Sequence, residues 1–155
     1  MNGIMENLKF TLKSGALIPL LVMLPNLVWM LLPKATPMKG TAEPLALTIV
    51  ENIGRVAILV LPFFFSLNLE KKFSVLVSIC MGLALAFYYA AWIRYFSGGM
   101  TAELFRAPLL GIPLPLAVAP VIFLLLSSYL MGSWLIFGAS LLFGAAHIWI
   151  SALTL

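Results

Sequence analysis

The stretch TIVENIGRVAILVLPFFFSL, residues 48–67, carries a glutamate and an arginine in a segment that is otherwise apolar enough to lie in lipid. Glu51 precedes Arg55 by four residues, the order that favours an ion pair along one helical face, and Asn52 lies on the same face. A lone charge at the bilayer centre costs about 2.5–3.5 kcal/mol. The pair is therefore expected to face a cavity or another helix. The alternative places it among the headgroups, with the embedded part of the helix beginning near Val56.

The composition outside this stretch is equally apolar. Of the 155 residues, 63% are hydrophobic and 9% are charged, and the mean hydropathy is +1.14, whereas a soluble domain carries about 25% charged residues. The apolar runs are continuous, unlike the short alternating strands of a membrane barrel. The sequence therefore predicts an all-α, polytopic integral membrane helical bundle, and we expect a bacterial plasma (inner) membrane.

Several kinds of site are excluded by residues that the chain lacks. It contains no aspartate, one cysteine (Cys80) and one histidine (His147), so an intrachain disulfide, an aspartate dyad and a Ser-His-Asp triad are impossible within one chain. We expect no catalytic set, no metal site and no cofactor. The net charge of +4 comes from scattered lysines and arginines, which are typical of anchors at bilayer edges rather than of nucleic-acid binding.

Five spans fit the pattern in a single domain of residues 1–155. The 48 residues from Pro108 to Leu155 contain no Asp, Glu, Lys or Arg, and one helix of that length would measure about 70 Å. This part must therefore fold back, most simply near residues 127–133. The first apolar run is too long for a signal-peptide core, so we expect it to be retained. The predicted spans are residues 15–32, 44–69, 73–95, 115–130 and 133–153.

The distribution of basic residues gives the orientation only a small bias. With the amino terminus in the cytoplasm, the inner face would hold Lys9, Lys13, Lys71 and Lys72. The outer face would hold Lys34, Lys39 and Arg106. We expect the amino terminus inside, following the excess of lysine and arginine on cytoplasmic loops.

The polar residues within the spans lie mainly in the halves that point toward two polar loops, PKATPMKGTAE (residues 33–43) and SGGMTAELFRA (residues 97–107). From this convergence we predict a polar cavity near one membrane face, in which the polar half-spans meet. Simpler readings stay open: Arg94 snorkelling to the headgroups, and Tyr88 and Trp92 belonging to an interfacial aromatic belt. The candidate ligand-binding residues are Glu51, Asn52, Arg55, Tyr88, Trp92, Arg94, Arg106 and His147.

Two stripes of small residues predict close packing between helices. The first follows the last span: Ser133, Ser140, Gly144, His147 and Ser151. It is also compatible with a polar seam in which His147 accepts a proton or contacts a ligand. The second follows the third span at every fourth residue: Ser78, Gly82, Ala86 and Ala90.

The leading functional hypothesis is a permease-like or sensory component that binds, or helps to move, a small amphipathic ligand. In it, Glu51 and Arg55 set the polarity of the cavity, while the other cationic residues contact anionic groups. An alternative is an accessory or assembly subunit that docks on a partner membrane protein. A lipid-modifying enzyme with Glu51 or His147 as general base is a third. The expected partners are the bilayer, an amphipathic or anionic ligand, and further copies of the chain or another membrane protein, but no nucleic acid.

Overall fold

The computed structural model describes residues 13–32 and 44–153. These residues form an all-helical bundle, as predicted. The three lysines of the orientation prediction at positions 9, 34 and 39 lie outside the described residues. The helices are α1 (Leu17–Leu31), α2 (Leu45–Val60) with a 3₁₀ turn (Leu61–Phe64), α3 (Ser74–Ser97), α4 (Ala102–Arg106), α5 (Pro115–Met131) and α6 (Trp134–Leu153).

The second helix is shorter than the sequence suggested, and a proline accounts for it. Pro62 has no N–H and cannot continue the α-helical hydrogen bonding, so α2 tightens into its 3₁₀ turn. The chain then becomes extended at Phe65. The helical segment thus ends at Phe64, and the predicted continuation to Leu69 is wrong as a helix.

Among the described residues, three segments are long and apolar enough to cross a membrane: Leu45–Phe64, Ser74–Ser97 and Trp134–Leu153. The other two predicted spans form shorter apolar helices, α1 with 15 residues and α5 with 17. At 1.5 Å per residue they measure about 22 and 26 Å, against a hydrocarbon core of about 30 Å. The three long helices fit a membrane protein.

The bundle is organised around α5, of whose 17 residues twelve are buried. α3 packs on one side of α5 and α6 on another, and α2 packs in turn against α6. α1 makes smaller contacts with α3 and α5. The core between these helices includes Ile18, Val22, Ile58, Met81, Val121, Phe123, Leu124, Leu130, Ile136 and Phe143.

Backbone hydrogen bonds join the connections at one end of the bundle. The amide of Leu67 donates to the carbonyl of Lys13 (2.7 Å), and the amide of Asn68 donates to that of Leu130 (3.0 Å). The start of α1, the end of the 3₁₀ turn and the end of α5 therefore meet. We call this the Lys71 end of the molecule. The opposite end, where α3 finishes and α5 starts, is called the Arg106 end.

Two glycines let helices approach closely. A Cβ at Gly54 of α2 would lie 2.8 Å from the backbone of Phe143 in α6, and one at Gly144 of α6 would lie 2.5 Å from Cγ1 of Val121 in α5. Ser140, one turn before Gly144, is fully buried. The predicted packing along the α6 stripe is confirmed.

The α3 stripe does not pack within the bundle, so that prediction is wrong for the described chain. Gly82, Ala86 and Ala90 are exposed, and no atom would lie within 4 Å of a Cβ at Gly82. A step of four residues turns about 40° further round the helix each time. The stripe consequently winds away from the buried face, which carries Met81 and Tyr88 instead.

Candidate functional site

The site begins with a carboxylate shared by two partners on different helices. Oε1 of Glu51 lies 2.5 Å from Nη2 of Arg55, one turn further along α2. The same oxygen lies 2.7 Å from Nδ1 of His147 on α6. The Glu51 side chain is only 7% exposed, whereas that of Arg55 is 44% exposed. We call these three residues the polar centre; in it a buried anion is satisfied by one cationic and one titratable partner.

The close contact of α2 with α6 places these groups together. Gly54 meets the backbone of Phe143, and Glu51 and His147 lie about one turn away from that contact on their respective helices. The imidazole of His147 stacks on the Phe143 ring, with centroids 4.8 Å apart and 15° between the planes. The ring is thus fixed on one face by stacking and at Nδ1 by the carboxylate.

The polar centre borders a cavity of about 330 Å³, which is lined by residues of α1, α2, α3, α5 and α6. Arg55, His147 and Tyr88 line it, together with Asn26 and Trp29 of α1. The rest of its wall is apolar and includes Pro19, Val22, Met23, Ile58, Leu59, Leu116, Pro120, Leu124 and Phe143. A few polar groups in a mostly apolar wall are typical of small-molecule sites.

The wall opposite the polar centre is fixed by hydrogen bonds between α1 and α3. Nδ2 of Asn26 donates to the hydroxyl of Tyr88 (2.9 Å) and to the carbonyl of Val22 (3.0 Å). The Tyr88 hydroxyl also donates to the Val22 carbonyl (3.1 Å). Nε1 of Trp29 lies 3.3 Å from the hydroxyl of Tyr95. Asn26 and Trp29 are absent from the predicted site, although an asparagine within an apolar helix is itself a signal for a functional position.

A smaller cavity, of about 40 Å³, lies on another side of His147. Arg106 of α4 and Ser151 of α6 line it together with His147. The imidazole therefore stands between the two cavities, and Arg106 lies beyond it. This part of the site contains Glu51 and two arginines, and the carboxylate of Glu103 on α4 offsets part of the charge of Arg106.

Two predicted site residues have other partners in the structure. The guanidinium of Arg94 donates to the carbonyls of Pro108 (2.8 Å) and Ala107 (2.5 Å), which fixes the chain after α4. Trp92 is buried among Tyr95, Phe96 and Phe105, and neither residue lines the larger cavity.

The remaining predicted site residue, Asn52, is exposed, and its Oδ1 lies 3.4 Å from Nη1 of Arg55. Two simpler readings also find no support. Tyr88 and Trp92 are buried, at 2% and 4% exposure, and do not form an outward-facing belt. The guanidinium of Arg94 binds backbone carbonyls of the chain instead of extending toward the lipid headgroups.

Comparison of the chain with protein-family models, curated proteins and solved structures gives no match.

The chemistry open to the polar centre follows from the hydrogen bonds already made. An ionised carboxylate only accepts hydrogen bonds, so Nδ1 of His147 donates to Glu51 and Nε2 remains for another partner. A carboxylate on one ring nitrogen fixes the tautomer and the orientation of the imidazole. Beside Arg55, such a group can hold an anionic ligand or accept a proton from a neutral acid.

Proposed function

We propose that the protein binds, or helps to move, a small amphipathic ligand with an anionic group. The observation that carries this proposal is the cavity of about 330 Å³. Its cationic wall is held by a carboxylate that already has two partners, and the rest is mainly apolar. The anionic group would lie against Arg55 and His147, and the apolar part against Val22, Ile58 and Leu124.

The size of the cavity limits the ligand. It lies near the lower end of the range of about 300–1,000 Å³ for small-molecule sites. If each non-hydrogen atom takes about 30 Å³, the volume of a water molecule in the liquid, roughly eleven such atoms fit. A medium-chain carboxylate has this size, and decanoate is a suitable probe.

Charge decides between such an acid and a neutral amphipath of the same length. Arg55 is only partly neutralised by Glu51, because the same carboxylate oxygen also serves His147. The guanidinium is about half exposed, so it has donors left for a carboxylate, which it can bind bidentately. Decanoate should therefore bind more tightly than decanol.

The test is equilibrium binding of radiolabelled decanoate and decanol to the purified protein in detergent. We expect decanoate to bind at least tenfold more tightly, a difference of about 1.4 kcal/mol, and Arg55→Met to remove that preference. Arg94→Met is the matched control and should keep the preference, because both terminal nitrogens of Arg94 donate to backbone carbonyls and the residue does not line this cavity. Equal binding of both compounds, or equal loss in both variants, would refute the proposal.

We further propose that the chain is multi-pass in a bacterial inner membrane, with five crossings. The alternating direction of α1, α2, α3, α5 and α6 supports this. In a Cys80→Ser background, cysteines at Lys71 and Met100 should then react with a membrane-impermeant thiol reagent from opposite sides. Reaction of both from one side would contradict the topology.

The accessory-subunit alternative is favoured by one observation, the outward face of α3. Its small residues Gly82, Ala86 and Ala90 are exposed, and such residues allow another membrane helix to approach closely. Under this alternative a specific membrane protein should co-purify with the wild type and be lost with Gly82→Leu. Retention of the same partner by that variant would count against it.

A further inference from the structure

A third cavity, of about 420 Å³, lies at the Lys71 end, away from the polar centre. It is bounded by α5, α6 and the segment before α3. Its polar part comes from Lys71 and the hydroxyl of Ser128, and its apolar part from Leu125, Trp134 and Phe137. It shares no lining residue with the cavity at the polar centre.

Lys71 is held across the turn between α5 and α6. Its ammonium donates to the carbonyl of Tyr129 (2.7 Å) and lies 5.4 Å from the centroid of the Tyr129 ring. A Cβ at Gly132 would lie 2.5 Å from Nζ, so the amine sits directly against this turn. An ammonium has three donors, and the carbonyl uses one.

Lys71 has no ion pair within residues 13–32 and 44–153, where the ion pairs involve only Glu51. α6 begins at Trp134, on the wall of the cavity. The first turn of a helix carries partial positive charge, which adds to that of the ammonium. The cavity therefore favours an anion.

The walls identify the kind of anion. Trp134 is 85% exposed and Phe137 is partly exposed, and together with Leu125 they give the cavity an apolar side next to its cation. Aromatic residues and lysines near the ends of membrane helices lie at the level of the lipid headgroups. A soluble anion would use the ammonium but would leave this apolar side uncovered, whereas a lipid covers both.

We propose that this cavity binds one anionic phospholipid. Its phosphate lies against the Lys71 ammonium, and the upper part of an acyl chain covers Trp134, Phe137 and Leu125. The site is independent of the proposed function, because it lies at the other end of the bundle and uses other residues.

The test uses quenching of Trp134 fluorescence by brominated lipids in vesicles. Phosphatidylglycerol and phosphatidylcholine carrying the same brominated chains are compared, and the signal of Trp134 is isolated by subtracting that of Trp134→Phe. One lysine near an anionic headgroup contributes about 1 kcal/mol. We therefore expect phosphatidylglycerol to be preferred about fivefold.

Two lysines provide the matched comparison. Lys71→Gln should bring the preference close to one and Lys71→Arg should keep it. Lys72→Gln removes the same charge from the neighbouring position, where the amine lies over the Phe73 ring (5.1 Å) and does not line the cavity, so it should also keep the preference. A preference retained in Lys71→Gln, or lost equally in Lys72→Gln, would overturn the proposal.

A further variant tests the cavity without altering charge. Ser128 is buried on the wall, and Ser128→Leu fills part of the volume. It should reduce quenching by both lipids at Trp134. Unchanged quenching would show that no lipid occupies this cavity. Loss of the preference on adding inorganic phosphate at constant ionic strength would show that the ammonium binds free phosphate without the apolar part of a lipid, and would also overturn the proposal.

Discussion

The α2–α6 pair and α3 both carry polar residues in apolar surroundings and small residues at helical spacing, yet they use them in opposite ways. Between α2 and α6, Gly54 permits close contact and Glu51 binds across it to His147. On α3, Gly82 faces outward and Arg94 binds carbonyls of the chain itself. In the first arrangement Arg55 and His147 line a cavity. In the second, Arg94 fixes the chain after α4.

The difference comes from the residue spacing of each stripe, which sets how far the stripe turns around its helix, and from the size of the neighbouring side chains. The α6 stripe advances by 7, 4, 3 and 4 residues, which keeps it within about 40° of one direction. The α3 stripe advances by four each time and turns away. The inner face of α3 carries large aromatic residues, including Tyr88, Trp92 and Tyr95, and their burial contributes more than small-residue contact.

The largest expected effect is at the contact of α2 with α6. Gly54→Leu would drive a side chain into the backbone of Phe143, which cannot move aside as a flexible side chain would. We expect the free energy of unfolding, measured by titration with SDS in mixed micelles, to fall by about 3 kcal/mol or more. Gly82→Leu is the matched control on α3 and should change it by less than about 0.5 kcal/mol.

The outcome of these two substitutions decides whether the α2–α6 contact and the α3 stripe differ as described. Equal destabilisation by both substitutions would mean that α3 packs as closely as α2. A small effect at Gly54 would mean that α2 and α6 are not in close contact, and that the polar centre lacks its support.

An intermediate effect is expected at Arg94. Arg94→Met removes two charge-assisted hydrogen bonds to Ala107 and Pro108, one of them exposed, and should lower the free energy of unfolding by about 1.5 kcal/mol. Arg106→Met is the control, because Arg106 borders a small cavity and should change the same quantity by less than about 0.5 kcal/mol. A larger loss of unfolding free energy in Arg106→Met than in Arg94→Met would mean that Arg106, and not Arg94, stabilises the fold.

The sequence was sufficient for the helical class, for most helix limits and for the Glu51–Arg55 pair, because these depend on apolar periodicity and local spacing. It also indicated that polar half-spans converge, and the contact of Glu51 with His147 shows that two of them meet. The end of α2 was misplaced because an apolar run continues beyond the turn at Pro62.

The roles of Trp92 and Arg94 could not be read from their positions, because spacing assigns a face to a residue but not its partner. The Arg94 partners are carbonyls of an irregular segment, which no periodicity describes. Asn26 was underweighted for the reverse reason. Its helix carries no charged residue, and its partner Tyr88 lies 62 residues further along the chain.

The most direct measurement is a double-mutant cycle between Glu51 and His147, which are 96 residues apart in the chain and belong to different helices. Glu51→Met and His147→Phe, singly and together, are unfolded with SDS; phenylalanine keeps an aromatic ring against Phe143. The Glu51–Arg55 ion pair is lost in the Glu51→Met variant and in the double variant alike, so its contribution cancels from the coupling energy. We expect a coupling of about 1 kcal/mol or more, because the carboxylate is buried and bonded to the imidazole. A coupling below about 0.5 kcal/mol would mean that the two side chains do not meet and that the polar centre does not exist.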